Sequence, residues 1–249
     1  MQSIIKNNVG ETLDSTWARG AGGLRQSDWI VVLGHGVTGD KDRPLIVDTA
    51  AALNAAGFDT LRFSFAGNGQ SDGDFRDATI TKEVGDLDAV LSAVASSYSH
   101  IGYIGHSMGA AVGVIQSAKD PRISALVSLA GMIDTKAFAK TEFGQETPDD
   151  GLMWEEESCP LSSAFMTDLC ETIQSIAEQA RCVTAPWILL HGSADDVVLP
   201  RDTEQVQQMH GDAVQVVCVD GADHSFNQPA HKEQATDAVV TWLTALAAR

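Results

Sequence analysis

The sequence predicts an α/β fold: a mostly parallel central sheet, helices on both faces, and a short cap insertion over one end. Three observations carry this expectation. Short apolar, β-rich runs alternate with helical patterns along most of the chain, as in a parallel sheet built from βαβ units. The 249 residues suit one ordinary α/β domain, and at 44% hydrophobic they can build a sizeable core. The alternation lapses once, between residues 131 and 182, and then resumes. Residues 1–130 and 183–249 therefore read as one core, with 131–182 inserted into it.

Taken in order, residues 2–19 read as a hairpin, SIIKNN and TLDSTWAR joined through a VGE turn. WIVVLGHG (29–36) is apolar until its glycines, as a strand covered on both faces is. PLIVDTAAALNAAG (44–57) opens on proline and closes on glycine, the end preference of helices. DTLRFSF (59–65) is the next strand, and residues 79–97 have helical spacing behind a TxxE-type start. HIGYIGHSMG (100–109) runs from strand through a tight turn into a helix, and Ser124 to Ala130 form a strand. The insertion is polar, carries Glu155, Glu156 and Glu157, and holds one clear helical stretch, SAFMTDLCETIQSIAEQA (163–180). PWILLHG (186–192) is a strand, 201–210 a helix, AVQVVCVDG (213–221) a strand and 228–248 the closing helix.

Charge narrows the function classes. Sixteen basic against 34 acidic residues give a net charge of −18, a surface that repels phosphate backbones and anionic lipid. Nucleic-acid and membrane-surface partners are therefore not expected. No early apolar stretch suits a signal peptide and no run reaches the length of a membrane span, so the expectation is a cytoplasmic protein. The four cysteines, Cys159, Cys170, Cys182 and Cys218, show no zinc spacing and read as reduced, mostly packed thiols. No Walker-type loop, H-E-x-x-H or dinucleotide glycine signature occurs, so no cofactor and no metal are implied.

The chemistry centres on Gly105-His106-Ser107-Met108-Gly109, a G-x-S-x-G pattern. With 22 glycines in the chain the bare pattern is weak; its place between a short strand and a small-residue helix makes it strong. A serine in that turn is held in a strained conformation with its hydroxyl above the sheet, and the Met108 N–H points from a helix N-terminus to where an oxyanion would form. A second donor is expected from the loop after WIVVLGHG, and the N–H of Val37 in His35-Gly36-Val37-Thr38-Gly39 fits. A serine nucleophile needs a base. His35 and His106 sit in glycine-flanked turns and read as backbone-orienting. His100, His191, His210 and His231 sit at element ends and read as surface or capping residues. His224, in Asp220-Gly221-Ala222-Asp223-His224-Ser225-Phe226, follows the last strand and faces the same sheet edge as Ser107. The base in turn needs a carboxylate, and the loop after PWILLHG offers both Asp195 and Asp196.

HGVTG, RFSFAGNGQSDG, GHSMG, HGSADDVVLP and GADHSF, in this order and over nearly the whole chain, resemble the α/β-hydrolase superfamily. Within it they are similar to small cytoplasmic esterases related to feruloyl and cinnamoyl esterases, and to serine-aminopeptidase-like hydrolases. The resemblance implies Ser107 as nucleophile, Asp195 as acid, His224 as base, and Val37 as an oxyanion residue. Two stretches depart from it: Ala66-Gly67-Asn68-Gly69 stands where many relatives carry RGHG, and Ala110-Ala111 where many carry two glycines. The implied activity is hydrolysis of small carboxylic esters with short or aromatic acyl groups through an acyl-enzyme. Alternatives are an amide hydrolase on the same triad, with the glutamate run holding a substrate amine, and a non-catalytic receptor or scaffold. Apolar insertion residues, among them Trp154, Phe165 and Met166, are expected to wall the pocket.

Overall fold

A computed structural model describes residues 4–21 and 28–249. Residues 2 and 3 of the expected N-terminal hairpin lie outside these. Within them, β1 (Ile5–Lys6) pairs antiparallel with β2 (Thr12–Leu13) as the hairpin reading requires. The second arm does not continue in that pairing. After Asp14 it becomes β3 (Ser15–Ala18), which runs antiparallel along Asp59–Phe63 at the edge of the main sheet.

That sheet contains β3, β4 (Trp29–Gly34), β5 (Asp59–Phe63), β6 (His100–His106), β7 (Ile123–Leu129), β8 (Trp187–Gly192) and β9 (Val214–Val219). Its spatial order is β3-β5-β4-β6-β7-β8-β9, and every pair but β3–β5 is parallel. The two-residue side-chain period splits each central strand between two cores. In β4, Ile30 and Val32 join one apolar cluster, while Val31 and Leu33 join the other. Both faces are dry, which is why the strand reads as an unbroken apolar run.

Helices α1 (Pro44–Ala55) and α8 (Pro229–Ala247) cover one face, through residues such as Leu53, Val239 and Leu243. Helices α2 (Ile80–Val94) and α3 (Met108–Ser117) cover the other. Proline occupies the first turn of both α1 and α8, and Gly57 follows α1 at φ +97°. The α2 start differs from the expected motif. Thr79 caps it by accepting from the Lys82 N–H at 3.1 Å, but Glu83 falls one residue too late to reach back and is buried.

The segment between β7 and β8 departs most from the sequence reading. It contains an unexpected helix, α4 (Thr135–Phe143), capped by Asp134. The single long helix expected over 163–180 is three pieces: α5 (Ser163–Thr167), a π-helical turn over Asp168–Ile173, and α6 (Ala177–Cys182). Gln174 breaks it with φ +61°. An aromatic cluster ties the segment together. The Phe143 ring lies 5.9 Å from Phe138, 4.9 Å from Trp154 and 6.0 Å from Phe165. Beyond it, α7 (Arg201–His210) connects β8 to β9.

Candidate active site

All the chemically suggestive loops leave the carboxyl ends of parallel strands, so topology alone gathers them at one sheet edge. Ser107 links β6 to α3 with φ +54° and ψ −117°, outside the regions that L-residues favour. The turn is tight enough that a Cβ on Gly105 would strike the carbonyl of Gly109, and one on Gly109 the carbonyl of His35. Tyr103, fully buried, donates its hydroxyl to that Gly109 carbonyl at 2.9 Å and braces the turn from below. Packing around Gly105, Gly109 and Tyr103 holds the strain.

Ser107 and His224 line the same cavity, of about 500 Å³. His224 Nδ1 donates to Asp195 Oδ2 at 2.8 Å, which leaves Nε2 as the nitrogen able to accept a proton. Asp195 is buried, whereas Asp196 is exposed. The other oxygen of Asp195 accepts the N–H groups of Val197 at 3.0 Å and Val198 at 2.9 Å. Burial opposes ionisation of Asp195. Hydrogen bonds from His191 and His224 outweigh burial and hold the carboxyl well below the usual carboxylate range.

His191 is a correction to the sequence reading, which took it for a surface or capping residue. It is buried and stands 3.1 Å from Asp195 Oδ2 through Nε2, which also donates to the Val198 carbonyl at 2.8 Å. Its Nδ1 faces the Thr203 hydroxyl at 2.8 Å. The ring therefore ties the Asp195 loop to α7, on the same carboxylate oxygen that His224 uses. A histidine four residues before the acid, at the end of a buried strand, was the available signal.

His35 and His106 both bind backbone. His35 Nδ1 donates to the Gly36 carbonyl at 2.8 Å and Nε2 accepts the Phe65 N–H at 3.0 Å. This ties the Val37 loop to the end of β5. Burial lowers the pKa of His35 to about 4. His106 Nε2 donates to the His224 carbonyl at 3.0 Å, and its ring lies 4.9 Å from that of His224. Burial, then the neighbouring His224, push its pKa down to about 3, so it is a neutral donor at physiological pH. Of the others, His100 stacks on Trp29 at 4.9 Å, and His210 donates to the Ala180 carbonyl at 2.8 Å.

Val37 lies in the cavity wall, and Met108 opens α3 beside Ser107. Among the described residues neither N–H has a hydrogen-bond acceptor. Two N–H groups free beside a strained serine can take up negative charge on a substrate oxygen.

The expected pocket walls divide. Trp154 lines the cavity, 44% exposed, with Nε1 donating to Glu142 at 2.8 Å. Phe165 and Met166 do not line it. Phe165 is buried against Phe143 and reaches only a gap of about 10 Å³ behind Val37 and Met108, while Met166 packs against the core. The walls come instead from α1 and the His224 loop: Leu45, Ile46 and Phe226, with Arg43 and Lys232 beside them. Phe226 sits at φ +52°. These positions lacked a signal because they become a wall only when α1 and α8 meet on the sheet. Glu155, Glu156 and Glu157 are exposed, and none lines the cavity. Two of the four cysteines, Cys182 and Cys218, are exposed where packed thiols were expected.

Comparison with known proteins places the arrangement. The family model described as "Serine aminopeptidase, S33" matches residues 25–147. The ferulic-acid-bound structure of Est1E from Butyrivibrio proteoclasticus superposes with a TM-score of 0.87 at 23% identity, over 99% of this chain and 100% of that one. The chain has the α/β-hydrolase fold. In two further solved structures the fold recurs over nearly the full length. The esterase domain of a Rhodothermus marinus protein gives a TM-score of 0.75 at 18% identity over 98% of this chain and 97% of that one. A monoacylglycerol lipase of Paleococcus ferrophilus gives 0.73 at 21% over 93% and 99%. No curated protein matches the sequence. For this α/β-hydrolase fold, the Ser107 turn, the Asp195 loop and the His224 loop leave β6, β8 and β9 in turn. Among the described residues no helix is long and apolar enough to cross a membrane, and no group of three His, Cys, Asp or Glu could hold a metal ion.

Proposed function

We propose that the protein is a serine hydrolase of small carboxylic esters with short or aromatic acyl groups. The observation that carries this reading is the 2.8 Å Asp195–His224 hydrogen bond, made at the wall of the cavity that Ser107 also lines. The Ser107 Oγ attacks the ester carbonyl carbon as its proton passes to His224 Nε2. The carbonyl oxygen becomes an oxyanion held by the N–H groups of Val37 and Met108. Collapse of the tetrahedral intermediate breaks the bond to the leaving oxygen, which takes the proton from His224. Water, deprotonated by His224, then attacks the acyl-enzyme, and collapse returns the proton to Ser107 and frees the acid.

The segment 131–182 serves in this reading as a cap whose contribution to the pocket is Trp154. A cavity of about 500 Å³ holds a small ester. Turnover is therefore expected to be greatest for acetyl to about octanoyl or cinnamoyl-type esters and to fall steeply for palmitoyl esters. The amide reading needs a carboxylate to hold a substrate amine, and no Asp or Glu lines the cavity.

Ser107→Ala should keep the fold and lower ester turnover by several powers of ten, the scale of triad knockouts. A fluorophosphonate should add its mass to the peptide containing Ser107. Labelling elsewhere, or full activity in the variant, sinks the mechanism.

A further inference from the structure

The charge of the cavity is opposite to that of the molecule. The chain carries 34 acidic residues against 16 basic ones, yet the cavity wall beside Ser107 has two basic residues, Arg43 and Lys232, and no acidic one. The two cations differ. Lys232 Nζ is 2.6 Å from Asp48 Oδ2, so its charge is largely matched. Arg43, an exposed side chain, has no carboxylate partner among the described residues; its Nη2 donates to the Thr38 carbonyl at 2.8 Å and the Thr38 hydroxyl at 3.5 Å, and its Nε and Nη1 donors are left over. The nearby Asp42 is already held by Lys41 at 2.6 Å and Arg62 at 2.8 Å.

The backbone adds to this potential. Arg43 stands at the N-cap of α1, where no side chain caps the helix and no acidic residue lies in the first turn. The first α1 residue after Arg43 to bond back is Val47, to the Arg43 carbonyl at 3.0 Å. Leu45 and Ile46, whose N–H groups precede that bond, are both in the cavity wall. A neutral ester needs none of this, and unpaired positive charge at a pocket mouth favours a bound anion.

We propose that the substrate carries a carboxylate besides the scissile ester, taken by the Arg43 guanidinium at the α1 end of the cavity. The proposal rests on the ester-hydrolase reading above. One free guanidinium beside a matched lysine suits a single negative charge better than a doubly charged phosphate. The carboxylate can belong to the acyl part, as in a half-ester of a dicarboxylic acid, or to the alcohol part.

Two pairs of esters separate these sources. 4-Nitrophenyl hydrogen adipate against its methyl ester reads the acyl side. 4-Carboxyphenyl butyrate against its methyl ester reads the leaving-group side. In one pair the anionic-to-neutral ratio of kcat/KM should exceed that of Arg43→Gln by about tenfold at low salt. Taking the ratio within each protein cancels any disturbance of the Thr38 loop. Arg76→Gln, which removes an exposed cation outside the cavity, should leave the ratio where it is. Ratios unaffected by Arg43→Gln in both pairs, or moved equally by Arg76→Gln, overturn the proposal. Calorimetric titration of Ser107→Ala with monomethyl adipate and dimethyl adipate reads the same preference without turnover. A preference for the monoanion that Arg43→Gln abolishes, with no ester hydrolysed by the native protein, would sink the hydrolase reading and leave the anion site standing. Equal binding of the two compounds overturns the anion site.

Discussion

Asp195 uses both oxygens fully: two backbone N–H groups on one, His224 and His191 on the other. An amide in its place would present its NH₂ group either to the backbone donors or to the two rings. Presented to the rings, it would force His224 to carry its proton on Nε2, the nitrogen that accepts from Ser107 in the proposed mechanism. Asp195→Asn should therefore lower kcat by roughly two to four powers of ten with little change in KM. Asp196→Asn, at an exposed side chain, should stay within about twofold. Steady-state kinetics of the two variants check this, and the reverse ranking would reassign the acid. At this scale the sequence was informative where a residue's position follows from its place in a loop. Ser107, Asp195 and His224 each follow a predicted strand. It misled on His191, read as a surface or capping residue, because its ring direction depends on what α7 brings against it through Thr203.

Helix α2 shows how an element can carry a local conflict. Its inner face buries Ile80, Val84, Leu87, Leu91 and Val94, but also Asp86 and Glu83. Asp86 is provided for, since it accepts from the Ala66 N–H at 2.8 Å and the Asn7 amide at 2.7 Å. Glu83 Oε2 has no partner among the described residues. Burial, then the charges of Asp86 and Asp168, push the Glu83 pKa well above its ordinary value. The folded state thus keeps a proton that the unfolded chain gives up near pH 4.5, and stability falls as pH rises through the window above that value. Glu83→Gln removes the penalty. It should stabilise the protein at pH 7.5 and change little at pH 4, as judged by urea unfolding at the two pH values. A variant no more stable than the native protein at pH 7.5 would contradict the argument. Elements were legible where end signals and period agreed, as in α1. The insertion was not, because its helices are set by tertiary contacts. α4 offers only Phe138, Ala139 and Phe143 to an aromatic cluster drawn from distant positions, and a left-handed Gln174 interrupts a continuous helical pattern.

The whole molecule carries its charge imbalance mostly on the surface. Ion pairs relieve little of it. Lys41 with Asp14 and Asp42, Lys82 with Glu11, and Arg122 with Asp88 and Asp120 occupy several of the few cations, and among the described residues many acids remain without a basic partner. Added salt acts on both sets of interactions. It weakens exposed ion pairs, each contributing about 0–1 kcal/mol, and it screens the mutual repulsion of the acids. With 34 acids against 16 bases repulsive pairs outnumber attractive ones, so the second effect should win. Going from ~0.1 M to ~1 M KCl shortens the screening length from about 10 Å to about 3 Å. If that relieves on the order of 1–2 kcal/mol, the Tm of a chain this size should rise by roughly 2–8 °C. Chloride is the salt to use, since sulfate would also strengthen apolar burial. A calorimetric Tm that stayed flat or fell over this range would mean that the ion pairs outweigh the repulsion. The net charge would then govern which substrates approach the cavity and not how firmly the chain folds.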